Sequence, residues 1–152
     1  MNDSPPTLRR PPVLALLYLG ATLVLDYLLP TPQLVPWPYQ LAGLVPAAAG
    51  FSLTHGARRE LDRKGTTRNP FGEPTTLVTE GPFRFTRNPM YLAVTIVLLG
   101  IAVLVGRAPV FLAPAAFWLT MQLAYVPREE QKLERLLGTA YLDYQRRVRR
   151  WV

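Results

Sequence analysis

Residues 86–130 read TRNPMYLAVTIVLLGIAVLVGRAPVFLAPAAFWLTMQLAYVPREE, and their charge pattern decides the fold. From Pro89 to Val126 the only charged side chain is Arg107. It separates two apolar runs, 91–105 and 109–126, and the three residues 106–108 between them suffice only for a tight hairpin. About 20 apolar helical residues cross a bilayer core, with roughly 17 to 25 as the working range. The two runs therefore read as an antiparallel pair of membrane-spanning helices, the first of them short. Pro89 stands at a first helical position, where its missing N–H costs nothing. Pro114, inside the second run, is expected to kink it unless neighbours re-satisfy the freed carbonyl.

Two earlier runs, 13–29 and 34–54, have the same character, the second with Pro46 inside it, and 30–33 joins them by another hairpin. The basic residues then fix an orientation. Arg9 and Arg10 precede the first run. Seven more (Arg58, Arg59, Arg63, Lys64, Arg68, Arg84, Arg87) lie between the second and third, and seven (Arg128, Lys132, Arg135, Arg146, Arg147, Arg149, Arg150) follow the fourth. Sixteen of the 17 thus fall on one side, leaving Arg107 on the other. By the positive-inside rule both termini, the loop 55–90 and the tail 127–152 are cytosolic. Three or five spans would scatter these charges.

The 152 residues make one domain, 1–152, with 49% hydrophobic residues, a net charge of +7 and a mean hydropathy of +0.12. A soluble nucleic-acid binder would spread its cations through the chain, and their confinement to blocks argues against one. The absence of cysteine excludes disulfides, thiolate metal sites and thiol nucleophiles. His55, the only histidine, cannot make a zinc site without companions and reads as an interfacial polar residue. Asp26 lies near the outer end of the first run, where snorkelling to the far interface accounts for it. Arg9 and Arg10 imitate a signal peptide, but no cleavage site follows, so the first run reads as a retained helix.

A loop of more than thirty residues in so small a domain points to function. It opens with a turn-rich stretch at 67–71, continues through an extended reading of Thr75, Thr76, Leu77, Val78 and Thr79, and closes at Gly81-Pro82. In the tail, Pro127 ends one helix and opens another over 128–137, with Gly138 as its cap. A helix from Thr139 would set Tyr141, Tyr144, Val148 and Trp151 on one face with arginines on the others. That pattern fits a helix lying in the headgroup region, with packing against the loop as the alternative. Glu129 and Glu130 follow the fourth run directly. They are either a solvated pair balancing nearby cations or acceptors for a ligand's hydroxyl or ammonium groups. Arg84 and Arg87 alternate with aromatic residues beside a turn, which exceeds what a topology signal needs.

Three stretches together, residues 81–91, the Glu129-Glu130 pair, and 138–148, resemble the isoprenylcysteine carboxyl methyltransferase and phospholipid methyltransferase superfamily. The resemblance spans about 58–152 and is closest to small bacterial members with Thr-Arg-Asn-Pro-Met-Tyr before a span and Arg-Val-Arg-Arg-Trp near the end. It implies an S-adenosyl-L-methionine-dependent methyltransferase, which would go with the all-α, four-span membrane fold read from the apolar runs above. Its cofactor pocket would be built by the cytosolic loop and the C-terminal helices. Carried over by position, cofactor contacts fall on Thr75, Thr76, Leu77, Val78, Phe83, Asn88, Pro89, Met90, Tyr91, Glu129 and Glu130. Phe83 or Tyr91 would pack on the adenine, and a carboxylate would take the ribose diol or the ammonium. The methyl moves by in-line displacement, so positioning in a water-poor site carries the catalysis.

Where the prenylcysteine enzymes place an arginine for the substrate carboxylate, this chain has Tyr125, with Arg128 the nearest cation. These two and Arg87 are the substrate-orienting candidates, and no general base stands out. Asn88-Pro89-Met90-Tyr91 is closer to the phosphatidylethanolamine-methylating branch, and Ala93 replaces a common glycine. The expected acceptor is lipophilic, an isoprenylcysteine-type carboxylate or a phospholipid amine, entering sideways from the bilayer. The expected setting is the inner membrane of a bacterium, with no metal and no nucleic-acid partner. The rival reading is a non-enzymatic four-helix transporter or scaffold, but the spans hold no central charge of the kind transporters use.

Overall fold

The structure is a computed structural model, and it describes residues 10–65 and 76–152. Thr75, the stretch at 67–71, Arg9 and Arg68 lie outside them. The described residues form six α-helices: α1 (Pro11–Leu28), α2 (Leu44–Arg63), α3 (Pro89–Val105), α4 (Leu112–Thr120), α5 (Val126–Leu137) and α6 (Thr139–Arg147). Strands are absent among them, apart from one isolated antiparallel bridge between Gln33 and Arg107. Among the described residues two helical stretches are long and apolar enough to cross a membrane, Pro11–Leu28 and Ala108–Leu137, and α3 is a shorter apolar helix. Hydroxyls within the apolar helices are satisfied locally: Thr54, Thr95 and Thr120 each donate to the carbonyl four residues back, and Thr22 to that three back.

Proline sets the helix boundaries. Pro89 opens α3 as expected. Pro46 and Pro114 do not kink spans: each is the third residue of an α-helix that takes over from a 3-10 turn (Tyr39–Gly43 and Ala108–Phe111), in the first turn where unbonded N–H groups are normal. The second helical segment begins at Tyr39 rather than at 34, because Pro36 and Pro38 hold the residues before them out of the helical region. It then runs past 54 to Arg63.

Pro127 does not end a helix either. The chain stays helical from Ala108 to Leu137 through a π turn at Met121–Tyr125, in which the Val126 N–H donates to the Met121 carbonyl. Proline has no N–H for the carbonyl four residues back and its ring crowds that carbonyl, and the wider turn absorbs both problems. Gly138, at φ +55°, ends α5 as the sequence indicates.

Small residues let two helix backbones approach closely. α2 and α3 meet this way. A Cβ on Gly50 would fall 2.7 Å from the Ala93 carbonyl, and one on Gly100 2.7 Å from the Ala47 nitrogen. Ala93 is fully buried, and its small side chain permits this contact. α1 and α4 close the other side around Tyr91, Leu98, Phe117, Met121 and Val126. There the Tyr18 hydroxyl and Thr120 Oγ1 lie 2.8 Å apart.

The two hairpins are tied together at the end remote from the long loop. Leu34 and Val35 donate to the Gly106 carbonyl, and the Gln40 amide caps the Val105 carbonyl at 3.0 Å. Asp26 does not reach out alone: Arg107 Nε donates to it at 3.0 Å and Thr31 also bonds it. The lone cation on that side is therefore the partner of the lone acid in α1.

Candidate functional site

The site lies where α3 begins and α5 follows the apolar part of its helix. Pro89 starts α3 from a buried Asn88, whose side chain does not cap the helix. Instead the Asn88 amide donates to the Arg150 carbonyl at 3.0 Å, as does Thr86 Oγ1, and the Arg87 N–H donates to the Arg149 carbonyl. The last residues of the chain thus run back along the approach to α3. Trp151 anchors them, with Nε1 donating to Gln122 Oε1 at 2.6 Å and its ring 5.9 Å from that of Trp118.

This arrangement separates the two adjacent carboxylates. Glu130 is 7% exposed and is clasped by Arg150, at 2.6 Å and 3.2 Å, and by Arg87 at 3.3 Å. Glu129, one helical step round, receives the Tyr91 hydroxyl on Oε2 at 3.0 Å. Its carboxyl is pushed up to about 7, chiefly by burial, against the opposing pull of the Tyr91 hydrogen bond and the Lys132 charge. At neutral pH one acid is therefore committed to two guanidinium groups, and the other sits close to the balance between protonated and ionised forms.

α6 supports the loop. Tyr141 and Tyr144 are 2% and 3% exposed, with ring centroids 6.1 Å apart. The Tyr144 hydroxyl donates to the Phe83 carbonyl at 2.7 Å. Burial, then the Glu130 charge, pushes the Tyr141 hydroxyl up to about 12. The aromatic stripe is therefore packing, and the headgroup reading of this helix is corrected. Moreover, α6 ends at Arg147 and Val148 is extended, so Trp151 is not on its face. The loop is also held from α2: Lys64 pairs with Glu80 at 2.8 Å and Arg63 pairs with both Glu60 and Glu80. Gly81, at φ +55°, lies against the Glu60 side chain, where a Cβ would clash at 2.7 Å.

Of the residues expected at the site, Tyr91 and Glu129 are in direct contact. Asn88, Pro89 and Met90 adjoin them in sequence at the start of α3. Phe83 is half-buried and tied to α6, Val78 is buried, Leu77 half-buried and Thr76 exposed. No hydrogen bond joins Thr76 or Leu77 to Glu129 among the described residues. Of the substrate-orienting candidates, Arg87 is engaged by Glu130, Tyr125 packs against the core in the π turn, and Arg128 is exposed. His55 and Arg84 are exposed. Sequence reasoning gave no role to Arg150, Gln122 or the Arg149 carbonyl. The Arg-Val-Arg-Arg-Trp ending was the available signal, but nothing in one sequence says which segment it folds against.

The sequence profile of a family described as phospholipid methyltransferase matches residues 39–140. This covers well over half of the chain, from the 3-10 turn before α2 to the start of α6, and includes both Tyr91 and Glu129. The chain belongs to the phospholipid methyltransferase family. With two helical stretches able to cross a bilayer, it is a membrane protein of a methyltransferase family. No curated protein and no solved structure matches it.

Proposed function

We propose that the chain is an S-adenosyl-L-methionine-dependent methyltransferase. It acts on a lipophilic acceptor, either an isoprenylcysteine-type carboxylate or a phospholipid amine, at the cytosolic face of a membrane crossed four times. The observation that carries this reading is the Tyr91–Glu129 hydrogen bond, which joins the motif preceding α3 to the acidic pair in α5 within the matched region.

The donor set suits the cofactor. Glu129 is a recessed carboxyl with one positioned donor, fit to accept an ammonium or a ribose diol. The first-turn N–H groups of Met90 and Tyr91 receive no side-chain cap, which suits a carboxylate at a helix N-terminus. The half-buried ring of Phe83 offers a face for the adenine. When bound, the cofactor supplies an electrophilic methyl group on a sulfonium. Tyr91 fixes the rotamer of Glu129, while Glu130, Arg87 and Arg150 lock α5 to the approach of α3. For a carboxylate acceptor, positioning and exclusion of water carry the catalysis, whereas a phospholipid ammonium must first give up a proton to become a nucleophile. The charge asymmetry supports cytosolic termini, and the bilayer itself delivers the acceptor.

Calorimetry on the detergent-purified protein tests the reading. Binding of S-adenosyl-L-methionine is expected for the wild type, with loss of tenfold or more in Glu129→Gln, roughly the weight of one charge-assisted contact. A folded wild type that does not bind it refutes the proposal.

A further inference from the structure

We infer that the Trp151 ring is a gate on the methyl-acceptor site, and that Gln122 is both its latch and a contact for the acceptor's polar end. The inference rests on the methyltransferase reading above. Trp151 packs against the buried cluster to which Tyr91, Met121 and Val126 belong, and it touches Trp118, which is 36% exposed. Leu119 and Leu123, next to Trp118 and Gln122 in sequence, are exposed as well. The ring thus sits where the lipid-facing surface of this helix meets the cluster containing Tyr91, and Tyr91 in turn holds Glu129. A lipophilic acceptor arriving from the bilayer at this depth meets the ring before it meets Tyr91.

The contacts of the last residues divide into a fixed base and a movable tip. Arg149 and Arg150 are tied through their carbonyls to Arg87, Thr86 and Asn88, and the Arg150 guanidinium is tied to Glu130. Beyond them Trp151 is latched by its Nε1 bond to Gln122 Oε1 at 2.6 Å, and Val152 is 77% exposed. The ring therefore swings about its own side-chain bonds while the base stays tied. An indole N–H only donates, so the oxygen of the Gln122 amide faces it. With the ring away, that oxygen and the indole N–H both lose a partner in an apolar setting, which keeps the gate closed at rest. A polar group on the acceptor replaces the indole: an amine N–H meets Oε1, and a carboxylate meets the amide N–H groups. A lipid without such a group does not offset the lost bond, so opening is coupled to arrival of the acceptor. Gln122 lies in the π turn, and π turns within α-helices are frequent at functional sites. Packing on Trp118 alone would anchor the tail, so an amide at this depth exceeds what an anchor needs.

The test uses the full chain in neutral detergent with a spin label on Val152→Cys, which is then its only cysteine. Paramagnetic resonance reads the mobility of the label with phosphatidylethanolamine, with N-acetyl-S-farnesylcysteine, and with diacylglycerol as the lipid lacking either acceptor group. The label should be restricted in the protein alone and with diacylglycerol. Its mobile fraction should rise several-fold with the amine lipid or the carboxylate lipid. Gln122→Leu should free the label without any lipid and raise the acceptor's KM about tenfold, with S-adenosyl-L-methionine affinity unchanged. Trp151→Phe should also free the label but lower that KM, because the amide stays available. A latch that only stabilises the fold would lower the melting temperature in both variants and leave KM unmoved. Should Gln122→Leu not fold, Trp151→Phe, which keeps most of the packing, carries the comparison. A label that stays restricted with both acceptor lipids, or that diacylglycerol frees equally well, overturns the inference. S-adenosyl-L-methionine binding is measured on the same samples: selective release of the label without cofactor binding sinks the methyltransferase reading alone, and cofactor binding with an unmoved label sinks the gate alone.

Discussion

The Tyr91 hydroxyl donates to Glu129 Oε2 across 3.0 Å, linking two residues 38 positions apart from either side of the Arg107 hairpin. Removing the donor has two separable consequences. In Tyr91→Phe the half-buried Glu129 loses the hydrogen bond that favours its ionised form, so the pH midpoint for cofactor binding should move up. Affinity at pH 7 should fall about three- to tenfold, with about 1 kcal/mol lost in stability. Calorimetric titrations at several pH values check this, and an unchanged midpoint would show that the bond does not tune Glu129.

The raised value of Glu129 also fixes the sign of a stability effect. Folding holds the group at about 7 against 4.5 in the unfolded chain, so the folded state binds more protons between those values. Stability from this group is fully present below about pH 4.5 and is lost as pH rises through about 7. The size is on the order of 3 kcal/mol. Cofactor affinity should run the other way, rising with pH through about 7 as the carboxylate forms. Thermal melting of the wild type and Glu129→Gln between pH 5 and 8 tests the first part. The variant should lack this loss and be the more stable of the two at pH 8.

Glu130 should behave in the opposite manner to its neighbour. Glu130→Gln leaves Arg87 and Arg150 facing each other without their shared acid. Breaking a buried ion pair costs about 3–5 kcal/mol, and partial exposure of Arg150 reduces this to about 2–3 kcal/mol. The melting temperature should drop while the folded fraction still binds cofactor. A stable Glu130→Gln that cannot bind would reverse the roles assigned to the pair.

The C-terminal anchor predicts a graded series. Trp151→Ala removes both the contact with Trp118 and the bond to Gln122, and should cost about 2 kcal/mol or more. Trp151→Phe keeps most of the packing and should cost about half as much. Equal losses in the two variants would mean that the hydrogen bond dominates.

How much of this was legible in the sequence depends on how local each cause is. Pro89 and Gly138 act on their own backbone, so the start of α3 and the end of α5 could be read directly. The Gly106 hairpin follows in the same way from its length. Pro127 misled because a π turn can absorb a proline, and whether it does depends on the packing of Met121 and Tyr125. Pro36 and Pro38 carried the later start of the second helical segment, but the apolar run obscured them. The pairing of Asp26 with Arg107 spans 81 positions, and the division of labour between Glu129 and Glu130 depends on Arg150 returning from the chain terminus. Periodicity does not encode such contacts. The aromatic face of α6 was visible, but lipid and protein present the same apolar pattern to a sequence. Its burial against the loop needed the structure.

Topology can be checked without removing any native residue, because the chain has no cysteine. Single cysteines introduced as Gln33→Cys and Thr139→Cys should label from opposite sides of sealed vesicles, with a membrane-impermeant maleimide reaching the Gln33→Cys variant only from the outer face. Labelling of both positions from one side contradicts the four-span arrangement.

The most direct test of the central claim is calorimetric titration of S-adenosyl-L-methionine into the purified wild type, Glu129→Gln and Glu130→Gln at pH 8. The account predicts one-to-one binding to the wild type, a loss of tenfold or more in Glu129→Gln, and near-wild-type affinity in the folded fraction of Glu130→Gln. No binding to folded wild type, or unchanged affinity in Glu129→Gln, would contradict it.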